Sequence, residues 1–276
     1  MRKIIIKPRK GFEALGLQEL VEYRDLLYYN ILKNIKGKYR QMALGPFWII
    51  LQPLVNMILF SFIFGGMAKM DSGGVPYPLL TLSALIPWML FQNSTTFASN
   101  SLVSQMGVIS KVYFPRMIIP LADTLAWLVD FGITFLILLV MMAFYGFFPG
   151  IRILFIPLYL LFVLATTLAI GLWTASLTVK YRDLKLLVDY GLRIFMFITP
   201  VAYSAANLEA SIPIKWVWLL KMNPLYWIVE GFRWSLLGIG EEPTLFMIYP
   251  ILLVFVLLVS GAFVFRRSER NIVDLL

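Results

Sequence analysis

Long apolar stretches separated by short polar ones dominate the hydropathy pattern of this chain. A helix needs about 20 predominantly apolar residues to cross the hydrocarbon core of a bilayer. Five stretches reach that length: 47–68, 77–103, 117–146, 153–178 and 246–265. A sixth stretch, 187–204, is shorter and carries Asp189 and Arg193 near its start. The pattern predicts an all-α polytopic membrane protein with six transmembrane helices.

The segment before the first apolar stretch has a different pattern. Between residues 15 and 40, apolar side chains such as Leu20, Leu27 and Ile31 recur at helical spacing, and charged side chains occupy the opposite face. This is typical of an amphipathic helix that lies at a membrane surface. We therefore predict a cytoplasmic segment, 1–46, with this interfacial helix, then a transmembrane domain, 47–265, and a short cytoplasmic tail, 266–276.

The distribution of basic residues predicts the orientation. The chain is 60% hydrophobic and only 14% charged, yet its formal net charge is +9. If the N-terminus is cytoplasmic, 19 of the 24 Lys and Arg fall on the cytoplasmic side. Such a bias places both termini in the cytoplasm. Anionic lipid headgroups are then the natural counter-charge, and nucleic acid is not needed as a partner.

A long region, 205–245, lies between the last two predicted spans, 187–204 and 246–265, and is predicted on the outer side. Within it, Asn223 and Pro224 are suited to begin a helix and Gly238 to end one, which leaves about 14 residues or about 21 Å of rise. That helix is too short to cross a membrane. Together with the apolar piece 211–221 it predicts a re-entrant helical hairpin on the outer side. Glu230 and Arg233 lie on one face of the helix and can neutralise each other.

Several kinds of chemistry are absent from the sequence. It contains no Cys and no His, which removes most metal sites and the usual general base, so neither a metal site nor a catalytic site is predicted. It also contains no phosphate-binding loop of the form G-x-x-x-x-G-K-[ST], so any dependence on ATP must come from a partner. Asp123 and Asp130 lie within the third predicted span, and a proton-coupled carrier could use two such carboxylates, so this function stays open.

Polar side chains in the first two spans suggest a surface that is shielded from lipid. Gln52 and Asn56 are four residues apart on the first span, and the second span contains FQNSTTFASNS at 91–101. Lipid-facing helices avoid such side chains, so these surfaces face other helices or a cavity that contains water. Aromatic side chains nearby, including Phe60 and Phe91, suit the apolar faces of sugar rings.

Four local patterns together resemble the membrane subunits of ABC-2 type exporters, and in particular the bacterial permeases for O-antigen, capsular polysaccharide or teichoic acid. The patterns are KYRQMALGPFWIILQP at 38–53, KVYFPRMIIPLA at 111–122, YRDL at 181–184 with ITPVAY at 198–203, and NPLYWIVEGFR at 223–233. Lys38 stands where an Arg is more usual in that family. The resemblance covers nearly the whole chain and is nearest to the O-antigen exporter permeases.

The resemblance implies a transport subunit in the bacterial inner membrane rather than an enzyme. Two copies of the chain would form a continuous channel above two copies of a separate ATPase subunit, which would hold the ATP and Mg²⁺. This chain would carry no cofactor. The substrate would be a polysaccharide linked to a polyprenyl diphosphate.

Roles for individual residues follow from combining the resemblance with the residue chemistry. We expect the substrate path to be lined by Gln52, Asn56, Phe60, Phe91, Gln92, Asn93, Thr199 and Tyr203. Cations at the lipid-diphosphate entrance would be Lys36, Lys38 and Arg40. Contacts with the ATPase would come from Lys111, Tyr113, Arg116, Tyr181, Arg182 and Asp183. The outer gate would contain Trp227, Glu230 and Arg233.

Three other functions remain open from the sequence. A drug or lipid exporter of the same superfamily would share the architecture but would need a closed substrate pocket. A proton-coupled carrier would use Asp123 or Asp130 and would need no ATPase. A transferase embedded in the membrane would need a carboxylate-only catalytic site.

Overall fold

The computed structural model describes residues 17–40, 45, 47–109, 111–112, 114–181 and 183–271. Within these residues every regular element is helical, as the sequence predicts. The α-helices are α1 (Leu17–Glu22), α2 (Arg24–Tyr39), α3 (Phe47–Phe60), α4 (Tyr77–Ser104), α5 (Met106–Ile109), α6 (Ile118–Ala126), α7 (Leu128–Phe144), α8 (Ile156–Lys180), α9 (Leu184–Ile198), α10 (Ala205–Ser211), α11 (Val217–Lys221), α12 (Pro224–Leu237) and α13 (Ile248–Asn271). A π-helical segment, Ser61–Met67, continues α3, and 3-10 turns at Ile151–Phe155, Ile214–Trp216 and Leu245–Met247 precede α8, α11 and α13.

Among the described residues, four helical segments are long and apolar enough to cross a membrane. They are Phe47–Met67, Ile118–Phe144, Ile151–Lys180 and Leu245–Glu269. Large apolar side chains on them, such as Leu161 and Phe255, are more than half exposed in the single chain. Exposed apolar helices of this length are stable only when lipid or protein covers them. The chain is therefore a multi-pass membrane protein.

Helix α4 is the central helix of the bundle. It is 28 residues long, or about 42 Å of rise, and it packs against α3, α6, α7, α8, α9 and α12. Polar side chains such as Thr81, Ser94 and Thr95 are fully buried on it. Because neighbouring helices cover α4, it can carry more polar side chains than a lipid-facing helix. Its bounds agree with the predicted stretch 77–103.

Helix α9 is displaced from the predicted stretch 187–204. It begins at Leu184 and ends at Ile198, because Thr199 precedes Pro200 and adopts an extended conformation. The residue before a proline is disfavoured in the helical region, so the helix stops there. The residues that follow, 199–203, form a turn that leads towards α10.

The N-terminal segment is helical, as predicted, but the face of α2 that packs on the other helices is polar and not apolar. α1 and α2 together cover most of 15–40, and α2 packs along α6. Asn30, Asn34 and Lys38 lie four residues apart on α2, and the last two of these side chains reach the α6–α7 span. Val21 and Tyr28 are more than half exposed. The helix therefore presents a polar row to the bundle and leaves apolar side chains uncovered.

Candidate functional site

Helix α12 is built as its sequence predicts. The side chain of Asn223 accepts a hydrogen bond from the backbone amide of Leu225 at 2.9 Å, and Pro224 takes the first helical position. Gly238 ends the helix with φ of 71°, a left-handed conformation that glycine adopts at little cost. Every residue from 225 to 237 is buried. A helix of only 14 residues is therefore enclosed by protein on all sides.

The charged pair of α12 is at the centre of this packing. Arg233 donates a hydrogen bond to the Glu230 carboxylate at 2.6 Å, and the two side chains are 0% and 2% exposed. The guanidinium also donates to the carbonyl oxygens of Tyr203 at 2.9 Å, Val201 at 3.1 Å and Leu80 at 3.3 Å. Arg233 therefore joins α12 to the turn 199–203 and to α4, besides neutralising Glu230.

Two further side chains hold the same turn. The Tyr77 hydroxyl donates to the carbonyl oxygen of Ala202 at 3.0 Å, and the Asn223 amide donates to the Thr199 hydroxyl at 3.1 Å. The carbonyl oxygens of residues 201–203 in this turn are thus all bound by side chains, those of Val201 and Tyr203 by Arg233 and that of Ala202 by Tyr77. We refer to this arrangement, centred on Glu230 and Arg233, as the α12 anchor.

A second polar group surrounds the beginning of α12. Lys221 contacts Glu241 at 2.6 Å and Glu209 at 3.4 Å, and the Tyr226 hydroxyl donates to Glu209 at 2.6 Å. Burial acts to lower the pKa of Lys221, but the hydrogen bonds and charges of Glu241 and Glu209 outweigh it and raise that pKa above its ordinary value. Trp227, predicted for the outer gate, is buried and donates to the Lys221 carbonyl at 2.7 Å. These contacts join α10, α11, α12 and the segment after α12.

Both carboxylates of the third predicted span are engaged by α2. Asn34 donates to Asp123 at 2.6 Å, and Lys38 donates to Asp130 at 2.9 Å. The Tyr39 hydroxyl also donates to Asp130. The Lys38 ammonium lies 3.1 Å from the centre of the Trp127 ring. Burial lowers the pKa of Lys38, and the charge and hydrogen bond of Asp130 partly offset that effect.

The three predicted entrance cations are therefore not equivalent. Lys38 is mostly buried against Asp130, and its side chain is 10% exposed. Lys36 and Arg40 are exposed. In this conformation only those two present their side chains to the surroundings.

The predicted path residues fall into separate groups. Gln52 and Asn93 line the same small groove, together with Trp127, Asp130 and Thr134. Phe60 and Tyr203 both contact Phe64, with ring centres 6.0 and 5.9 Å apart.

The remaining path residues do not join either group. Asn56 is half-buried on α3, and Gln92, also half-buried, accepts a hydrogen bond from the indole of Trp88 at 2.9 Å. Phe91 and Thr199 are fully buried, so neither offers surface to a ligand in this conformation.

The predicted ATPase contacts differ in exposure. Lys111, Tyr181 and Asp183 are exposed. Arg116 is half-buried, and its guanidinium donates to the backbone carbonyl of Glu269 at 2.6 Å. Tyr113 and Arg182 lie outside the described residues.

Sequence reasoning missed the long-range partners in these sites. Neither Glu209 nor Glu241 has a local signal that marks it as a partner of Lys221, since they lie 12 and 20 residues away in the sequence. The carbonyl oxygens that Arg233 binds carry no residue-type signal at all. Among the described residues, no group of three Asp or Glu side chains is placed to hold a metal ion.

Comparison with known proteins gives a consistent family signal. A sequence model of the ABC-2 type transporter family matches residues 25–237. The O-antigen export system permease protein RfbA of Klebsiella pneumoniae is 26% identical over 255 residues, 91% of this chain and 95% of that protein. The polysialic acid transport protein KpsM of Escherichia coli is 20% identical over 87% of this chain and 92% of its own length. The inner membrane transport permease YadH of E. coli K12 is 24% identical over 83% of this chain and 91% of its own length.

Proposed function

The chain belongs to the ABC-2 type transporter family, and on that premise we propose that it is the permease subunit of an exporter for lipid-linked polysaccharide of the O-antigen type. The observation that carries the proposal is the similarity to an O-antigen export permease along 91% of this chain. The similarity to a polysialic acid transport protein supports the same substrate class. A path through the membrane for a long polar polymer is the feature that these named functions share.

The proposed assembly contains two copies of this chain and two copies of a separate ATPase subunit, which holds the ATP and Mg²⁺. Both termini face the cytoplasm, as the distribution of Lys and Arg favours. Helix α4 supplies a fifth transmembrane span, and α9, which has only 15 residues, supplies the sixth together with the turn 199–203. The bacterial inner membrane is the proposed location, in line with the name of the E. coli relative YadH.

Helix α12 then belongs to an outer re-entrant hairpin with α11. Its enclosure by protein supports this placement, because a helix that ends inside a membrane needs its backbone groups covered. The α12 anchor keeps the hairpin fixed to α4 and to the turn after α9. We assign this hairpin the role of closing the outer mouth of the channel, with Trp227, Glu230 and Arg233 as its fixed core.

The groove that contains Gln52 and Asn93 is the strongest candidate for part of the glycan path. Its polar side chains include the amides of Gln52 and Asn93 and the hydroxyl of Thr134, which exchange hydrogen bonds with sugar hydroxyls without strong attraction. The Asp130 carboxylate also lines the groove, and its charge is offset by the pairing with Lys38. A polymer that must keep moving requires weak, repeated contacts of this type. Asn56, Phe60, Gln92 and Tyr203 extend the proposed path. Thr199 and Phe91 join it only if the channel opens at their positions.

Lys36 and Arg40 are the proposed contacts for the lipid diphosphate, since cations near a membrane surface pair well with phosphate oxygens. Lys38 can take part only after it separates from Asp130. Coupling to the ATPase is assigned to the exposed side chains of Lys111, Tyr181 and Asp183.

The structure offers little support for a proton-coupled carrier. Asp123 is hydrogen-bonded to Asn34, and Asp130 is paired with Lys38, so both carboxylates bind α2. Such pairing gives each of them an architectural role.

Removing the chain from its host tests the proposed function. We expect lipid-linked glycan to accumulate at the cytoplasmic leaflet and to disappear from the cell surface, with both effects reversed by the wild-type chain. Antibody or lectin labelling of intact and permeabilised cells measures the two pools. Unchanged surface glycan in the deletion strain would rule the proposal out.

A further inference from the structure

Another polar network lies where α4 ends, far along the bundle from the α12 anchor. The backbone amide of Arg116 donates to the Glu269 carboxylate at 3.0 Å, and its guanidinium donates to the Glu269 carbonyl at 2.6 Å. Arg266 contacts Glu269 at 3.4 Å and Glu19 at 3.0 Å. We call these four residues the α13 junction.

The α13 junction connects segments that are distant in the sequence. Arg116 follows α5 in the connection between α4 and α6, Arg266 and Glu269 lie on the last turns of α13, and Glu19 lies on α1. The contacts span 153 and 247 residues of sequence. The side chains of Arg266, Glu269 and Glu19 are only 18%, 15% and 22% exposed, so solvent screens these pairs less than it screens surface pairs.

Apolar packing encloses the same region. Phe265, one residue before Arg266, is fully buried in a cluster with Leu102, Phe114 and Met117, and Leu20 of α1 packs against this cluster. The α4–α6 connection, the end of α13 and the start of α1 are therefore held together by both apolar and ionic contacts. Packed elements of this kind move together rather than deform continuously.

From α1 the connection continues into the transmembrane bundle. α1 and α2 adjoin one another at Tyr23, and α2 packs along α6. Asn34 and Lys38 then bind Asp123 and Asp130. A continuous series of contacts thus runs from the α4–α6 connection through α13 and α2 to the third predicted span.

We propose that the α13 junction is the element that transmits movement of the α4–α6 connection to the N-terminal helices α1 and α2. Arg116 acts in it as a positioning residue and not as an ATPase contact. The proposal rests on the proposed function, in which the ATPase docks at that connection. It assigns Glu19, Arg266 and Glu269 a role in coupling ATP hydrolysis to export.

Variants of the two acidic residues test the proposal in the complete complex with its ATPase. Glu19→Gln and Glu269→Gln are expected to leave subunit association intact and to lower glycan exported per ATP hydrolysed by about fivefold or more, in the range of typical coupling effects. Asp25→Asn is the matched control, because Asp25 is an acidic residue of the next helix whose side chain is 99% exposed. It should behave as wild type.

A crosslinking experiment distinguishes a transmitting role of the α13 junction from a merely structural one. Since the chain has no Cys, Glu19→Cys with Arg266→Cys introduces the only two thiols. We expect the uncrosslinked double variant to be poorly coupled and a short bis-maleimide to restore export per ATP. Unchanged coupling in the Gln variants, or no recovery on crosslinking, would overturn the proposal. Failure of the wild-type chain to require an ATPase would instead overturn the proposed function.

Discussion

Replacing Arg233 by Met should destabilise the protein strongly, because it leaves the Glu230 carboxylate buried without its counter-charge. The side chain that is lost is 0% exposed and binds Glu230 together with three backbone carbonyl oxygens. Removing one partner of a buried ion pair typically costs about 3–5 kcal/mol. For a chain of this size that corresponds to a fall of about 6–20 °C in thermal midpoint.

Replacing both partners should cost less than the two single losses added together. In the Glu230→Gln, Arg233→Met double variant no charge remains buried, so the carbonyl contacts become the main loss. Thermal midpoints of the purified protein in one detergent give the double-mutant cycle. Arg24→Met is the control, since Arg24 and its neighbour Asp25 are both mostly exposed, and it should not shift the midpoint.

Two results would refute this reasoning. One is a fall of less than about 2 °C for Arg233→Met, which is far below the range expected for an uncompensated buried charge. The other is strict additivity in the cycle, which would mean that Glu230 and Arg233 do not interact energetically.

Two other predictions concern packing and α2. Gly231→Ala should destabilise the protein by about 1–3 kcal/mol, because a Cβ at this position would lie 2.2 Å from the Tyr159 ring. Gly132→Ala is the control: its Cβ would have no neighbour within 4 Å, so the variant should be neutral or stabilising. The thermal midpoints of the two variants give the comparison. Lys38→Met should loosen α2 from the bundle and increase amide hydrogen exchange in 24–39, and adding Asp130→Asn should reverse part of that increase. Unchanged exchange in Lys38→Met would contradict the pairing with Asp130.

Local rules predicted the elements whose causes lie in neighbouring residues. The ends of α12 follow from Asn223, Pro224 and Gly238, and the structure places the helix between them. The predicted end of the fifth span, at residue 204, lies beyond the observed end of α9 at Ile198, although Pro200 supplies a local reason for the earlier stop. There, the apolar pattern continued past the proline and outweighed the turn signal.

Contacts between distant segments could not be read from the pattern. The sequence predicts that Glu230 and Arg233 neutralise each other, but it gives no indication of the Leu80 carbonyl 153 residues away. Similarly, Lys38 is a plausible surface cation by sequence, and only the packing of α2 along α6 brings it to Asp130. Charge at a position is visible in the sequence, whereas its partner depends on the tertiary arrangement.

Native mass spectrometry of the complex purified from its host tests the central claim most directly. The account predicts two copies of this chain with two copies of a nucleotide-binding subunit, and ATP hydrolysis that requires both proteins. A chain that purifies without such a subunit and transports on a proton gradient alone would contradict it.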